Sequence, residues 1–330
     1  MMIEKARSSE RARIEALLAR EAARVRRAFR RFLDDVKSDP VLRQIRIALE
    51  DGGIEAALRV IDAHVARMGP VVAQVFQAAG QAEVEALAAK LGGALTALSF
   101  DPTYPRAAAL MRTNTLEFVR EMTRAQREAT RAALIEALQT GAGPAETARL
   151  LRDSIGLTEY QRRAVANYRA LLEAGDAAAL TRDLRDRRFD PSVRRAAEDD
   201  EPLGADKIDR MVEQYQNRFL QYRGENIART EAQRTVGEAR RESLGQVLEQ
   251  IGEPRGSVRR TWVTTADGRE RDTHAEMDGQ QRGIDEPYES PSGARLMFPG
   301  DSSLGAPASE VVNCRCTEMF DVLPSDEAQR

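Results

Sequence analysis

The sequence predicts a mainly α protein with a small C-terminal α+β module, in which an elongated helical N-terminal region is joined by a long helix to a compact domain of short strands and loops. Three observations carry this. Apolar residues recur at three- and four-residue steps as far as about residue 250. Proline and glycine serve as punctuation between those runs. After Gly252-Glu253-Pro254-Arg255-Gly256 the runs become short, β-branched or aromatic, and bounded by turn residues. Composition agrees: 42% of residues are hydrophobic but only 5% aromatic, so the core must rest on Ala, Leu, Val and Ile, a helical bias.

In residues 3–37, Ile14, Leu17, Leu18, Val25, Phe29, Phe32, Leu33 and Val36 form one apolar stripe. Asp39-Pro40 ends that segment, and Gly52-Gly53, Gly69-Pro70, Gly92-Gly93 and Asp101-Pro102 mark the next breaks. The first division, residues 1–140, is therefore a helical bundle or extended arm. Residues 141–250 form a second helical part. It opens with Pro144 in a first turn and Glu146 near a helix N-terminus, continues through short helices over 144–154, 158–174 and 176–187, and ends in a long helix over about 206–250 with Gly224 as a candidate break. The charged, two-proline stretch 188–204 reads as an exposed connection or arm. The third division, residues 251–330, is the α+β module, with strands expected at Arg260–Thr264, Arg295–Phe298 and Val311–Phe320.

Several classes are excluded or weakened. No segment approaches the ~20 apolar residues of a membrane span, and the N-terminus has no apolar stretch resembling a signal peptide, so no membrane is expected among the partners. Only four of the 50 basic residues are lysines. So strong an arginine bias, alongside abundant alanine, is what a GC-rich gene would encode, and it weakens any inference from arginine content to nucleic-acid binding. Charge is nonetheless unevenly placed: residues 1–46 hold 13 basic and seven acidic side chains, residues 251–330 nine basic and 15 acidic. The basic end suits double-stranded DNA or an acidic protein surface, although Arg11, Arg20, Arg24, Arg27 and Arg31 also fall where a solvated helix face would put them.

The chemistry-bearing residues gather in the C-terminal module: Trp262, Asp267, Arg271, His274, Asp278-Gly279, Pro299-Gly300-Asp301 and Asn313-Cys314-Arg315-Cys316. In a strand, Cys314 and Cys316 would project to one face with Asn313 and Arg315 opposite. A histidine approaching both sulfurs would offer zinc two thiolates and an imidazole, with Asp267, Asp301 or water as the fourth ligand. The alternatives are a buried thiol pair beside a hydrogen-bonded histidine, and a reactive thiol. Asp267, Arg271, Asp278 and Arg315 suit either a catalytic acid with arginine clamps or an ion-pair and turn network. Trp262, the sole tryptophan, reads as the plug of a small core. On the long helix, Glu231 of Arg229-Thr230-Glu231 can pair with Arg234 one turn later, and this segment either packs as an ordinary helix face or docks onto the module and orients it.

The order of these motifs, a Trp strand, D-x-x-x-R-x-x-H (Asp267, Arg271, His274), Asp278-Gly279, Pro299-Gly300-Asp301 and the terminal Asn313-Cys314-Arg315-Cys316, preceded by Ile227-Ala228-Arg229-Thr230-Glu231, resembles the phage Mu protein F-like family of minor head and head morphogenesis proteins of tailed bacteriophages. The likeness covers roughly residues 145–320 and is sharp over 225–320. It implies a non-enzymatic virion protein, made in the host cytoplasm and placed in the head. Portal and procapsid components would be its partners, head assembly, DNA packaging or DNA ejection its process, and no small-molecule substrate or obligatory cofactor is expected. The competing expectation is a metal-dependent hydrolase, a nuclease or a phage-borne effector using His274, Cys314 and Cys316. The chain has only one other histidine, His64, and few residues follow Phe320, which disfavours a rich catalytic site and an appended enzyme domain.

Overall fold

The computed structural model describes residues 2–91, 98–198 and 202–323. Helices α1 (Met2–Val36), α2 (Asp39–Ala66), α3 (Pro70–Lys90), α4 (Pro105–Gln139), α5 (Pro144–Ser154), α6 (Glu159–Glu173), α7 (Asp190–Glu198) and α8 (Ala205–Ile251) come first. Then follow β1 (Val258–Val263), α9 (Asp272–Glu276), β2 (Gln281–Gly283), β3 (Tyr288–Glu289), β4 (Arg295–Leu296), α10 (Ala308–Val311) and β5 (Thr317–Val322). The mainly α architecture with a small module of short antiparallel strands is thus observed. No described helix is long and apolar enough to cross a membrane.

The breaks have the expected causes. In α1 the stripe residues Ile14, Leu17, Val25, Phe29, Phe32 and Val36 are buried. Pro40 lies in the first turn of α2, where its missing N–H costs nothing, and Gly53 kinks α2 with a φ of 70° that a side chain would resist. The Gly92-Gly93 break lies outside the described residues. A capping box starts α6: the Thr158 hydroxyl accepts from Gln161 N, and the Gln161 side chain accepts from Thr158 N. The long helix runs through Gly224 unbroken. A Cβ there would lie 3.0 Å from the Phe29 ring, so close packing accounts for the glycine.

Two stretches differ from expectation: residues 176–187, expected as a short helix, hold only the tight turn Ala177–Thr181 followed by irregular backbone, and residues 188–204 are the second. Residues 188–204 are not simply an exposed arm, because a tight turn at Arg187–Phe189 leads into α7, whose Asp190, Val193 and Ala196 are buried. Pro191 falls in the first helical turn, which tolerates it. Arg185 clasps Asp190 with two hydrogen bonds of 2.9 Å, so the charges that suggest exposure are partly spent on one another.

The sequential division at about 140 and 250 follows composition, whereas contacts divide the chain into two compact units. One comprises Met1–Ala28, Gly69–Phe118 and Asn226–Arg330, the other Phe29–Met68 and Val119–Glu225. Helices α1, α4 and α8 supply residues to both. The second unit has a core of Leu157, Val165, Tyr168, Leu172, Val193, Met211, Tyr215 and Phe219, drawn from the turn before α6, from α6 and α7, and from the first half of α8.

The first unit holds the C-terminal module. Its main sheet has the order β2-β1-β5, antiparallel throughout, with Arg260 opposite Arg282 on one side and Phe320 on the other. Strands β3 and β4 form a separate hairpin. Trp262, Met277, Tyr288, Leu296, Val311, Cys314 and Cys316 make the module's own core.

In the same unit the Asn114 amide donates to the Glu238 carboxylate, and burial pushes that carboxyl up to about 7. A folded pKa above the unfolded value of 4.5 makes stability greatest below pH 4.5 and erodes it as pH rises through about 7. Glu238→Gln is therefore expected to exceed the wild type in urea stability at about pH 8, by on the order of 1–2 kcal/mol, and to match it near pH 4. A difference between variant and wild type that does not change with pH would refute the raised pKa.

Candidate metal centre and its supporting network

His274 sits on α9, a single turn between the exposed loop after β1 and the Asp278-Gly279 turn, and it is almost wholly buried. Its Nδ1 lies 3.6 Å from Cys314 Sγ and 3.5 Å from Cys316 Sγ. Its Nε2 lies 2.9 Å from Glu310 Oε2 on α10. The ring stands edge-on to Trp262, with centroids 5.3 Å apart. Both cysteines are free and buried. The hydrogen bond from Cys316, opposed by burial and reinforced by His274, holds the Cys314 thiol below its ordinary range. The same contact with Cys314, together with burial, raises Cys316.

The cysteines are not in a strand, contrary to the sequence reading. After Pro307 the chain forms α10, and at Asn313 it takes a left-handed turn with φ 57°, a conformation asparagine tolerates. β5 begins only at Thr317. The sulfurs nevertheless meet at one nitrogen, because this turn and the start of β5 carry them under α9. Similarly, Arg295–Phe298 yields only the two-residue β4, since Met297 N is taken by the Asp301 carboxylate at 2.7 Å instead of by a neighbouring strand.

Among the described residues, His274, Cys314 and Cys316 are the one group of three or more His, Cys, Asp or Glu side chains whose ligand atoms all lie within 4.8 Å of one another. Asp267 and Asp301, both expected as a fourth ligand, lie outside it. Arg315 grips Asp267 through two bonds of 2.7 and 2.9 Å, and Arg269 adds a third at 2.8 Å. Those contacts, Arg315 first, hold the Asp267 carboxyl far below the usual range. Asp301 is buried and accepts from Met297 N, Ser303 N and the Ser303 hydroxyl. Both carboxylates are occupied in fixing loops.

The other motif residues are likewise turned to internal contacts. Asp278 accepts from Thr264 N at 2.8 Å, while Gly279, at φ 77°, donates to Trp262 O and pins the turn to β1. Arg271 donates to Val312 O. The Arg229-Thr230-Glu231 segment and the next turn of α8 hold the module directly: Asn313 N donates to the Thr230 hydroxyl at 3.1 Å, and the Asn313 amide to Asn226 at 2.9 Å. Gln233 donates to Cys316 O at 2.7 Å and Pro299 O at 3.2 Å. Glu231 pairs with Arg234 at 2.7 Å. Gly237 lets Phe298 approach to where a Cβ would be 2.4 Å from its ring, and Gly300, at φ 89°, fits against Gln233 in the same way.

Sequence reasoning missed several participants. Glu310, which orients His274, lies in Ala308-Ser309-Glu310-Val311 with no spacing signal relating it to a histidine 36 residues away. Arg260 is wholly buried with Glu318, at 3.0 Å, and Arg240 is buried against Glu83. In so arginine-rich a chain, nothing in the sequence separates these from solvated arginines. Beside the cluster a cavity of about 220 Å³ is lined by His274, Cys316, Arg271, Asn313, Arg315 and Glu270, among others.

No curated protein and no solved structure matches the chain. The model of the family described as phage Mu protein F like protein matches residues 203–319, the span from the start of α8 through the cysteine turn into β5. This segment supplies the helix that grips the module and nearly all of the module itself, so it is over the long helix and the module that the chain is similar to the phage Mu protein F-like family.

Proposed function

We propose that the chain is a minor head protein that associates with the portal or procapsid and acts by binding, within the phage head morphogenesis to which its family points. One observation carries the non-enzymatic reading: the module's polar signature is consumed in its own construction. Asp267 is clamped by Arg315, Asp278 caps β1, Asp301 ties its loop, and Asn313 locks onto α8. A general acid or base needs a carboxyl with a tuned pKa and access to substrate, whereas Asp267 is held ionised by its arginines. Such a network braces the module against the C-terminal half of α8, a fixed arrangement suited to presenting a surface to a large assembly.

The basic residues of α1 support a further contact with DNA, since Arg20, Arg27 and Arg31 are exposed and cations on a helix displace counterions from phosphates. The reading is tested by mixing the purified full chain with a portal protein encoded in the same genome and following co-sedimentation with portal rings or heads. Stoichiometric binding is expected, with no cleavage of DNA when zinc is supplied. Failure to bind portal, procapsid or heads would overturn the assembly role. DNA cleavage that disappears in Cys314→Ser would replace it with the hydrolytic one.

A further inference from the structure

We propose that His274 Nδ1, Cys314 Sγ and Cys316 Sγ bind one zinc ion, with Glu310 fixing the imidazole and a water from the adjoining cavity as fourth ligand. Geometry carries the assignment. Tetrahedral zinc, with Zn–S of about 2.3 Å and Zn–N of about 2.0–2.1 Å, places each sulfur about 3.6 Å from the nitrogen. The observed separations are 3.6 and 3.5 Å. An imidazole nitrogen has one lone pair or one proton in the ring plane, so it can make one well-aligned hydrogen bond to sulfur and not two equivalent ones. Two sulfurs equidistant from one nitrogen are what a shared metal requires.

The outer contacts agree. The Glu310 carboxylate at 2.9 Å from Nε2 takes that nitrogen's proton as a hydrogen bond, which leaves the Nδ1 lone pair turned toward the sulfurs. A carboxylate behind a metal-bound histidine is the usual means of fixing its tautomer and raising its basicity. Thiolates and imidazole together select zinc over the hard divalent ions. The three ligands are nearly fully buried, and the 220 Å³ cavity lined by His274 and Cys316 gives an ion and its water a way in. The ligands come from α9, the Asn313 turn and the residue before β5, three segments that no extensive sheet holds together. The metal thus staples the module where it is least regular.

The test uses the full chain, purified under reducing conditions. One zinc per chain is expected by elemental analysis. Replacing it with cobalt(II) should give the intense sulfur-to-cobalt charge-transfer absorption and visible bands of a tetrahedral thiolate site. Cys314→Ser and Cys316→Ser should each lose most of that absorption, and Glu310→Gln should keep it while weakening zinc affinity about 10–100-fold. The cobalt spectrum of the unaltered chain decides the matter even if a variant fails to fold. The proposal is overturned if metal-free protein takes up neither ion, or if cobalt binds without sulfur charge transfer.

Discussion

Arg240→Met is expected to destabilise the unit containing the C-terminal module by about 3–5 kcal/mol, because it strands a buried carboxylate. Arg240 and Glu83 are 2% and 1% exposed. The guanidinium donates to Glu83 at 3.0 and 3.3 Å and to Glu318 O at 3.0 Å, and it lies over the Phe320 ring at 4.6 Å. It thus joins α3, α8 and β5 at one point. Burial alone would push the Glu83 carboxyl up, but Arg240 and Arg13 outweigh it and hold the group below its ordinary value. Arg13, at 2.9 Å, is a poor substitute because its side chain is about one-third exposed. Removing both charges should behave differently: the Arg240→Met, Glu83→Leu double variant is expected to recover most of the loss, since apolar replacements of a buried pair are often neutral or better. A folded pKa below 4.5 means that the pair's contribution is present above that pH and is lost as pH falls. The double variant should therefore also lack part of the wild type's acid-side loss. Urea titrations of the wild type and both variants at neutral and acid pH measure all of this. A single-variant cost below about 1 kcal/mol would show that the pair behaves as an exposed one.

This pair also marks the limit of what the sequence reveals. Helices α1 to α6 and α8 are legible because helix formation is local: burying one stripe demands three- and four-residue spacing, and glycine and proline must sit at the ends or kinks. Arg240, Arg260, Glu83 and Glu318 are buried against ion-pair partners 58 or more residues away, so their local contexts look like those of solvated neighbours. Helix α7 was obscured for a related reason, since Arg185 and Asp190 satisfy each other and the only buried apolar residues of the helix are Val193 and Ala196. In the candidate site, the ligand types and their order were readable, but not the geometry. The alternation of Asn313 to Cys316 suggested a strand, while the left-handed Asn313 and its bonds to Asn226 and Thr230 make a turn instead. Glu310 was invisible because a carboxylate behind a histidine follows no sequence spacing. The long-range link that could be guessed, from Arg229-Thr230-Glu231 to the module, is made by the hydroxyl of Thr230 and by Asn226 and Gln233 on the same helix.

Trp262→Ala should cost about 3–5 kcal/mol, the range for deleting a large buried aromatic side chain. Trp262 is fully buried and is the chain's one tryptophan. Met277, Tyr288, Leu296, Val311, Cys314 and Cys316 share its core, and the Tyr288 ring meets it edge-on at 5.2 Å. Those neighbours are carried by one-turn helices, a two-stranded hairpin and a cysteine turn, all short elements with few backbone bonds of their own. They have little capacity to close over the cavity without losing their positions, which places the expected cost toward the upper end of the range. Trp262→Phe keeps a ring against Tyr288 and His274 and should lose roughly half as much. Since the His274 ring packs nearly perpendicular to the indole, the alanine variant should also broaden the histidine's ring-proton signals in NMR spectra, whereas a substitution that merely thinned a distant core would leave them sharp. Circular dichroism follows unfolding in both variants, because the fluorescent probe is the residue removed. If Trp262→Ala unfolds at the wild-type urea midpoint, then the module is held by its attachment to α8 and its polar network, and the tryptophan core contributes little.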